Sequence, residues 1–203
     1  MDARRSAVEL EQGHEDAAYD SLGSRIVRRA LVTAAVLASF VACSSSHPVA
    51  VPSAPKTMEL ATPYVINAAR LPRLYTCDGD NVSPAFQWAG VPANAKELAL
   101  LMVDRDSPGG RFVHWAVFGM PAQDGSIALG KPPPGKQARN DYGKVGYGGP
   151  CPPKRGGTHH YVVAIYALSA PLTLDAGASA DDVRRSIAAL AVAEGQTLVT
   201  YSR

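Results

Sequence analysis

The chain has 203 residues, of which 46% are hydrophobic, 19% charged and 7% aromatic, an ordinary globular composition that excludes a mostly disordered or fibrous protein. Twenty Lys and Arg against eighteen Asp and Glu leave a formal charge of +2. That excess is too small and too scattered for a nucleic-acid groove, which needs a clustered basic face, so no nucleic-acid partner is expected.

Residues 1–42 hold five Arg and six acids, and all six acids lie in residues 1–20. Those first residues do not resemble the basic start of an export signal, so a translation start nearer Leu22 or Val27 is expected. The apolar run Ala30–Ala42 has 13 residues, follows Arg25, Arg28 and Arg29, and stops at Cys43. A bilayer-spanning helix takes about 20 residues, whereas this length suits the hydrophobic stretch of a secretory signal. Ala42 before Cys43 resembles a bacterial lipobox, in which Cys43 becomes the acylated first residue, although Phe40 stands where Leu is usual. A buried helix or an uncleaved anchor is the alternative. Arg28-Arg29 matches a twin-arginine signal only in part, which leaves the export route open.

Residues 44–56 (SSSHPVAVPSAPK) read as a solvated tether. The expected organisation is a signal-bearing extension over 1–42, a Ser/Pro-rich tether over 43–57 and one domain over 58–203. The expected location is the bacterial cell envelope, with a lipid anchor holding the protein to the membrane. With Cys43 acylated, Cys77 and Cys151 remain in an oxidising compartment and are expected to form a disulfide; two independent free thiols are the alternative.

Along the rest of the chain, Leu98–Val103, Phe112–Gly119, Tyr161–Leu168 and Thr197–Tyr201 are short, rich in β-branched and aromatic residues, and bounded by turn formers. They predict strands and a mainly β domain. Ser179 with Asp182, the spacing of Val183, Ile187 and Leu190, and a stop at Gly195 predict one helix near the C-terminus. Gly and Pro dominate residues 130–157, which predicts a long shaped loop, and such loops are more often functional than accidental.

The candidate chemistry lies in three places. Asp104 and Asp106 sit two residues apart in a turn directly after the Leu98 strand, where an extended chain would point both to one side. His114 shares strand parity with Phe112, Ala116 and Phe118, as a packed core residue or a pocket wall. His159 and Tyr161 share one face after the loop Gly148-Gly149-Pro150-Cys151-Pro152-Pro153, and His160 faces the other way.

The runs DRDSPGGRFVHW and GPCPPKRGGTHHY resemble the two signatures of the phosphatidylethanolamine-binding protein family, also called Raf kinase inhibitor-like proteins. YTCDGDNVSP at Tyr75–Pro84, Trp88 with Gly90–Pro92, and NDYGKVGYGGP at Asn140–Pro150 resemble its bacterial branch, over about residues 60–203 in all. The resemblance implies a sandwich of two antiparallel sheets with a few peripheral helices. It also implies an anion pocket built from Asp104, Asp106 and His114, from Gly149, Pro150, Cys151 and Pro152 in the loop, and from His159 and Tyr161. Family members place there the phosphate of a phospholipid head group or of a phosphorylated residue, and some inhibit a protease or modulate a signalling partner. The chain departs from the family at His160, where Arg is usual, and at Glu194-Gly195-Gln196, where Gly-His is frequent.

Imidazole N–H, a tyrosine hydroxyl and loop N–H groups suit a small anion. In that reading Asp104 orients His114 and meets the amine of an ethanolamine head group. The competing reading makes Asp104 and Asp106 turn stabilisers and His114 a satisfied core residue. Catalysis is not expected and no cofactor is called for. A serine hydrolase lacks G-x-S-x-G. A metal-dependent hydrolase using Asp104, Asp106, His114 and His159 is the runner-up, without H-E-x-x-H or paired Cys-x-x-Cys spacing. The Asp78-Gly79-Asp80-Asn81 run lacks the closing carboxylate of a calcium loop, since position 89 is Ala, and reads as a turn.

Overall fold

The structure, a computed structural model, describes residues 51–203 apart from Tyr64 and Gly110. The apolar run Ala30–Ala42, Cys43 and residues 44–50, and with them the expected signal and lipid attachment, lie outside the described residues.

Eight consecutive buried residues, Glu97–Asp104, form strand β3, the middle strand of a five-stranded sheet. β4 (Phe112–Met120) and β7 (His159–Leu168) flank it, and β6 (Lys136–Gln137) and β8 (Ala191–Tyr201) lie outside them, in the order β6-β4-β3-β7-β8. β1 (Glu59–Ala61), β2 (Phe86–Ala89) and β5 (Gly125–Ile127) make a three-stranded sheet in the order β1-β2-β5. Each pairing in both sheets is antiparallel, giving the mainly β sandwich that the sequence predicts.

Strand period 2 explains why β3 is apolar throughout. Leu98, Leu100 and Met102 join Phe86 and Trp88 in the core between the sheets. Ala99, Leu101 and Val103 face the other way, against Val183 and Ile187 of helix α1 (Ala180–Leu190). Both faces of the large sheet are therefore covered, which permits an unbroken apolar strand in an antiparallel sheet. Both ends of that run are polar; at the first, Glu97 is satisfied by the Gly119 N–H at 2.8 Å and the Leu172 N–H at 3.1 Å.

α1 starts as predicted, with Ser179 Oγ accepting from Asp182 N at 3.1 Å. It does not run on to Gly195. The chain becomes extended at Ala191, and residues 191–201 pair along β7, with Gly195 opposite Ile165. A continuous ladder to a buried strand outweighs local helix preference here. Glycine at 195 serves close approach rather than helix termination, because a Cβ there would lie 2.7 Å from the Met58 carbonyl oxygen.

That approach also revises the end of the expected tether. Within residues 51–57 Ser53, Pro55, Lys56 and Thr57 are exposed, but Pro52 is buried and the stretch is docked: Tyr166 donates to Pro52 O at 3.0 Å, Glu194 Oε2 accepts from Ala54 N at 3.0 Å, and Glu194 N donates to Pro55 O at 2.9 Å. Proline lacks an N–H but keeps its carbonyl, so Pro52 and Pro55 dock as acceptors and Ala54 between them supplies the donor. Gly195→Ala is expected to push this segment off β8 and cost about 1–3 kcal/mol. Thermal melting followed by circular dichroism measures it, and a melting point equal to wild type contradicts the assigned role.

Candidate functional site

Where β3 ends, Asp104 pairs with Phe112 of β4 on one side and Tyr161 of β7 on the other, so three strands bring their ends into one row. Around that row a cavity of about 160 Å³ is walled by Asp104, Phe112, His114, Tyr142, Cys151 and His159, with Ser107, Pro108, Pro152 and Pro153 at its edges.

Asp104 is buried, and each of its oxygens is used. Oδ2 accepts from His159 Nδ1 at 2.7 Å, and Oδ1 accepts from the Asp106 N–H at 2.9 Å. The expectation that Asp104 orients His114 is thus corrected: its partner is His159. A carboxylate can only accept, so His159 Nδ1 carries a proton and Nε2 is the ring atom left for other partners.

His114 reaches the cavity through a bulge. Met102 pairs with Trp115 and Val103 with Val113, leaving His114 as the extra residue of β4. The shift separates it from Ala116 and Phe118, whose face it was expected to share: Val113, Ala116 and Phe118 pack under α1, and His114 packs edge-on against Tyr161 of the inter-sheet core at 5.1 Å between centroids. Strand parity fails across a bulge because one inserted residue reverses the alternation. His114 Nδ1 donates to Gly148 O at 2.7 Å, and Gly148 N returns a bond to His114 O at 2.9 Å. Nε2 of the neutral ring is then an acceptor.

Tyr161, expected in the pocket, is fully buried and does not line the cavity; its ring packs 5.1 Å from that of His114 and 6.4 Å from that of His159 and so supports both. Burial, reinforced by the nearby Asp104, drives its ionisation far above the ordinary tyrosine range. Its hydroxyl has no hydrogen-bond partner among the described residues.

Asp106 does not wall the cavity. Its Oδ2 accepts from the His160 N–H at 2.6 Å and from His160 Nδ1 at 2.8 Å at the exposed rim. The turn places its carboxylate outside the extended geometry that would have aligned it with Asp104. The His160 side chain lies on the exposed face, as its position in β7 predicts.

The loop supplies fewer donors than its glycines promise. Gly149 N donates to Asn81 Oδ1 at 2.7 Å, Gly148 N is taken by His114, and Pro150, Pro152 and Pro153 have none. Cys151 N is the one N–H of the Pro150–Pro153 stretch. Gly149 faces a neighbouring cavity of about 270 Å³, while Pro150 accepts from Cys77 N at 3.1 Å and positions the loop. The expected disulfide joins Cys77 to Cys151 across a Cα separation of 5.4 Å.

Sequence reasoning missed Tyr142, whose ring packs edge-on to Phe112 at 4.7 Å and His114 at 5.4 Å and whose hydroxyl donates to Gly149 O at 3.2 Å. Its local signal is Asn140, two residues earlier: Asn140 Oδ1 accepts from Tyr142 N at 3.0 Å and Lys144 N at 3.1 Å, an Asn-nucleated turn that aims the ring. Ser107 is committed to the backbone, donating to Asp104 O at 3.0 Å and accepting from Phe112 N at 3.1 Å. Among the described residues no three His, Cys, Asp or Glu side chains gather in a metal-holding group.

Burial, opposed by the Gly148 carbonyl, holds His114 below the ordinary histidine range. An unfolded chain binds a proton near pH 6.5 that folded His114 refuses until lower pH. The stability contributed by the neutral ring is therefore complete above about pH 6.5 and is lost as pH falls through the folded value. The melting temperature is expected to drop as pH falls below about 6.5, with a shallower slope in His114→Gln. Equal slopes in the two proteins would assign the effect to another group.

A family model described as phosphatidylethanolamine-binding protein matches residues 61–202. A UPF0098 protein of Methanothermobacter thermautotrophicus is 38% identical over 152 residues, covering 72% of this chain and 99% of the relative. A Mycobacterium tuberculosis protein named "Putative lipoprotein LppC" is 38% identical over 149 residues, covering 73% of this chain and 74% of the relative. Among solved structures, Escherichia coli YbcL, described as a new member of the mammalian PEBP family, matches with a TM-score of 0.68 at 27% identity, covering 72% of this chain and 99% of that one.

Proposed function

The chain belongs to the phosphatidylethanolamine-binding protein family, and on that premise we propose that it is a binding protein whose cavity at the end of β3 takes the phosphate of a small phosphorylated ligand such as a phospholipid head group. The observation that carries this reading is the Asp104–His159 pair, 2.7 Å apart and buried, in a cavity that His114 and Cys151 also line. His159 Nε2 offers the ligand an N–H when the ring is protonated, and the Asp104 carboxylate balances the charge formed. Cys151 N–H is a second donor. His114 Nε2, an acceptor, pairs with the hydroxyl of a singly protonated phosphate, so the site favours that form over the fully ionised one. The small volume limits the anion to about one phosphate group.

Binding is favoured over bond cleavage because the hydroxyls that line the cavity are committed to backbone, Ser107 to Asp104 O and Phe112 N and Tyr142 to Gly149 O, rather than to a histidine base. The metal-dependent alternative loses one of its four ligands, since Asp106 faces His160. Location in the cell envelope through an acylated Cys43 is part of the same proposal. The Cys77–Cys151 disulfide and the name of the mycobacterial relative support it.

Phosphorylethanolamine is expected to raise the melting temperature of wild type. His159→Ala and Asp104→Asn each remove that shift while retaining the far-ultraviolet circular dichroism spectrum. A full ligand shift in both variants would overturn the assignment of the pocket.

A further inference from the structure

Five cationic side chains, Arg70, Arg73, Lys154, Arg155 and Arg203, and one carboxylate, Asp78, line a cavity of about 460 Å³ outside the histidine pocket. The two sites adjoin. Lys154 and Arg155 directly continue the Cys151–Pro153 segment that walls the pocket, and Arg203 Nη1 lies 3.5 Å from Cys151 Sγ.

The charges in this groove do not cancel. Asp78 accepts the Tyr201 hydroxyl at 2.7 Å and Arg203 Nε at 3.0 and 3.2 Å, which commits it to one of the five cations. The Tyr201 bond, with Arg203 behind it, holds that carboxyl below the usual range, so it stays ionised and attached. Arg70 and Arg73 are oriented but not neutralised. Arg70 Nη2 donates to Ser202 O at 2.9 Å with its guanidinium 5.3 Å from the Tyr201 ring centroid, and Arg73 Nη2 donates to Asp78 O at 2.9 Å. Among the described residues, none of Arg70, Arg73, Lys154 and Arg155 has a carboxylate within ion-pair distance. Even a main-chain carboxylate at Arg203 leaves a clear positive excess.

We propose that this groove is a second anion site, which takes a ligand carrying two or more adjacent phosphates, either a free oligophosphate or the doubly phosphorylated head group of a lipid. Preorganised guanidinium forks suit phosphate oxygens, and Lys154 adds a mobile point charge at the rim. One phosphate brings about −1.5 to −2 charges and would leave the groove positive, whereas two adjacent phosphates match its uncompensated cations. The cavity has nearly three times the volume of the histidine pocket, in keeping with a larger anion. The reading does not depend on the histidine pocket binding anything.

The test uses the full chain carrying His159→Ala, so that the first pocket does not contribute, and titrates inorganic tripolyphosphate by calorimetry. Binding is expected, weakening as salt rises, and Lys154→Gln with Arg155→Gln is expected to lower affinity about tenfold or more. Arg70→Gln, which removes an exposed contact to Ser202, provides a second variant with the same expected direction. Flotation with vesicles containing phosphatidylinositol 4,5-bisphosphate, whose head group carries two adjacent phosphomonoesters, in a Cys43→Ser background that removes any acyl anchor, separates the sources. Flotation lost in the double glutamine variant identifies a lipid-borne ligand, and tripolyphosphate binding without flotation identifies a soluble one. Absence of tripolyphosphate binding, or an affinity unchanged by both groove variants, overturns the proposal. In wild type the groove variants leave the phosphorylethanolamine shift intact, so a failure here is distinguishable from a failure of the first pocket.

Discussion

A carboxylate buried at the end of an apolar strand must be hydrogen-bonded or it destabilises the fold. Asp104 occupies that position, and the surrounding arrangement follows from satisfying it. Its two oxygens take His159 from β7 and the backbone N–H of Asp106 from the following turn. Holding His159 sets one wall of the cavity, and holding the turn sets the position of Ser107, which in turn fixes the start of β4 through Phe112 N. The second histidine arrives on β4 by a bulge that turns its ring from the helix side toward Tyr161. A β3 ending in an apolar residue would leave these neighbours without a common partner.

The two histidines differ in their anchors, and that difference gives them different chemistry. His114 is tied to a neutral carbonyl and kept uncharged by burial, which makes its free nitrogen an acceptor. His159 is tied to a carboxylate through Nδ1, which fixes a proton there and leaves Nε2 for other partners. On the proposed binding reading, this pairing of one acceptor with one donor is what would let the pocket distinguish a singly protonated phosphate from a fully ionised one. The adjoining basic groove has no such acceptor set among its side chains beyond Asp78, which Arg203 and Tyr201 already occupy.

The disulfide connects these regions. Cys77 belongs to the segment carrying Asp78 and the groove, and Cys151 belongs to the loop that walls the pocket. Closing a loop with a sequence separation of 74 residues is worth about 4 kcal/mol in the chain-entropy account, so the bridge stabilises a stretch with little regular secondary structure of its own.

The short apolar runs of β3 and β7, the Ser179 cap of α1 and the His159/Tyr161 pairing on one face were legible in the sequence, because each depends on neighbours within a few positions. The end of α1 was not: Gly195 reads as a helix stop locally, yet the ladder to β7 and the close approach of Met58 make it a strand residue. Likewise the sequence marks His114, Asp104 and Asp106 as chemical residues but cannot assign their partners. A one-residue bulge reverses His114, and a turn sends Asp106 to His160. Tyr142 and the basic groove, assembled from residues 70–78, 154–155 and 201–203, exist only in three dimensions. By itself the sequence determined the residue types, the strand pattern and the family signatures. Tertiary structure decided which donor meets which acceptor, because hydrogen bonding acts over a few ångströms of space and takes no account of distance along the chain.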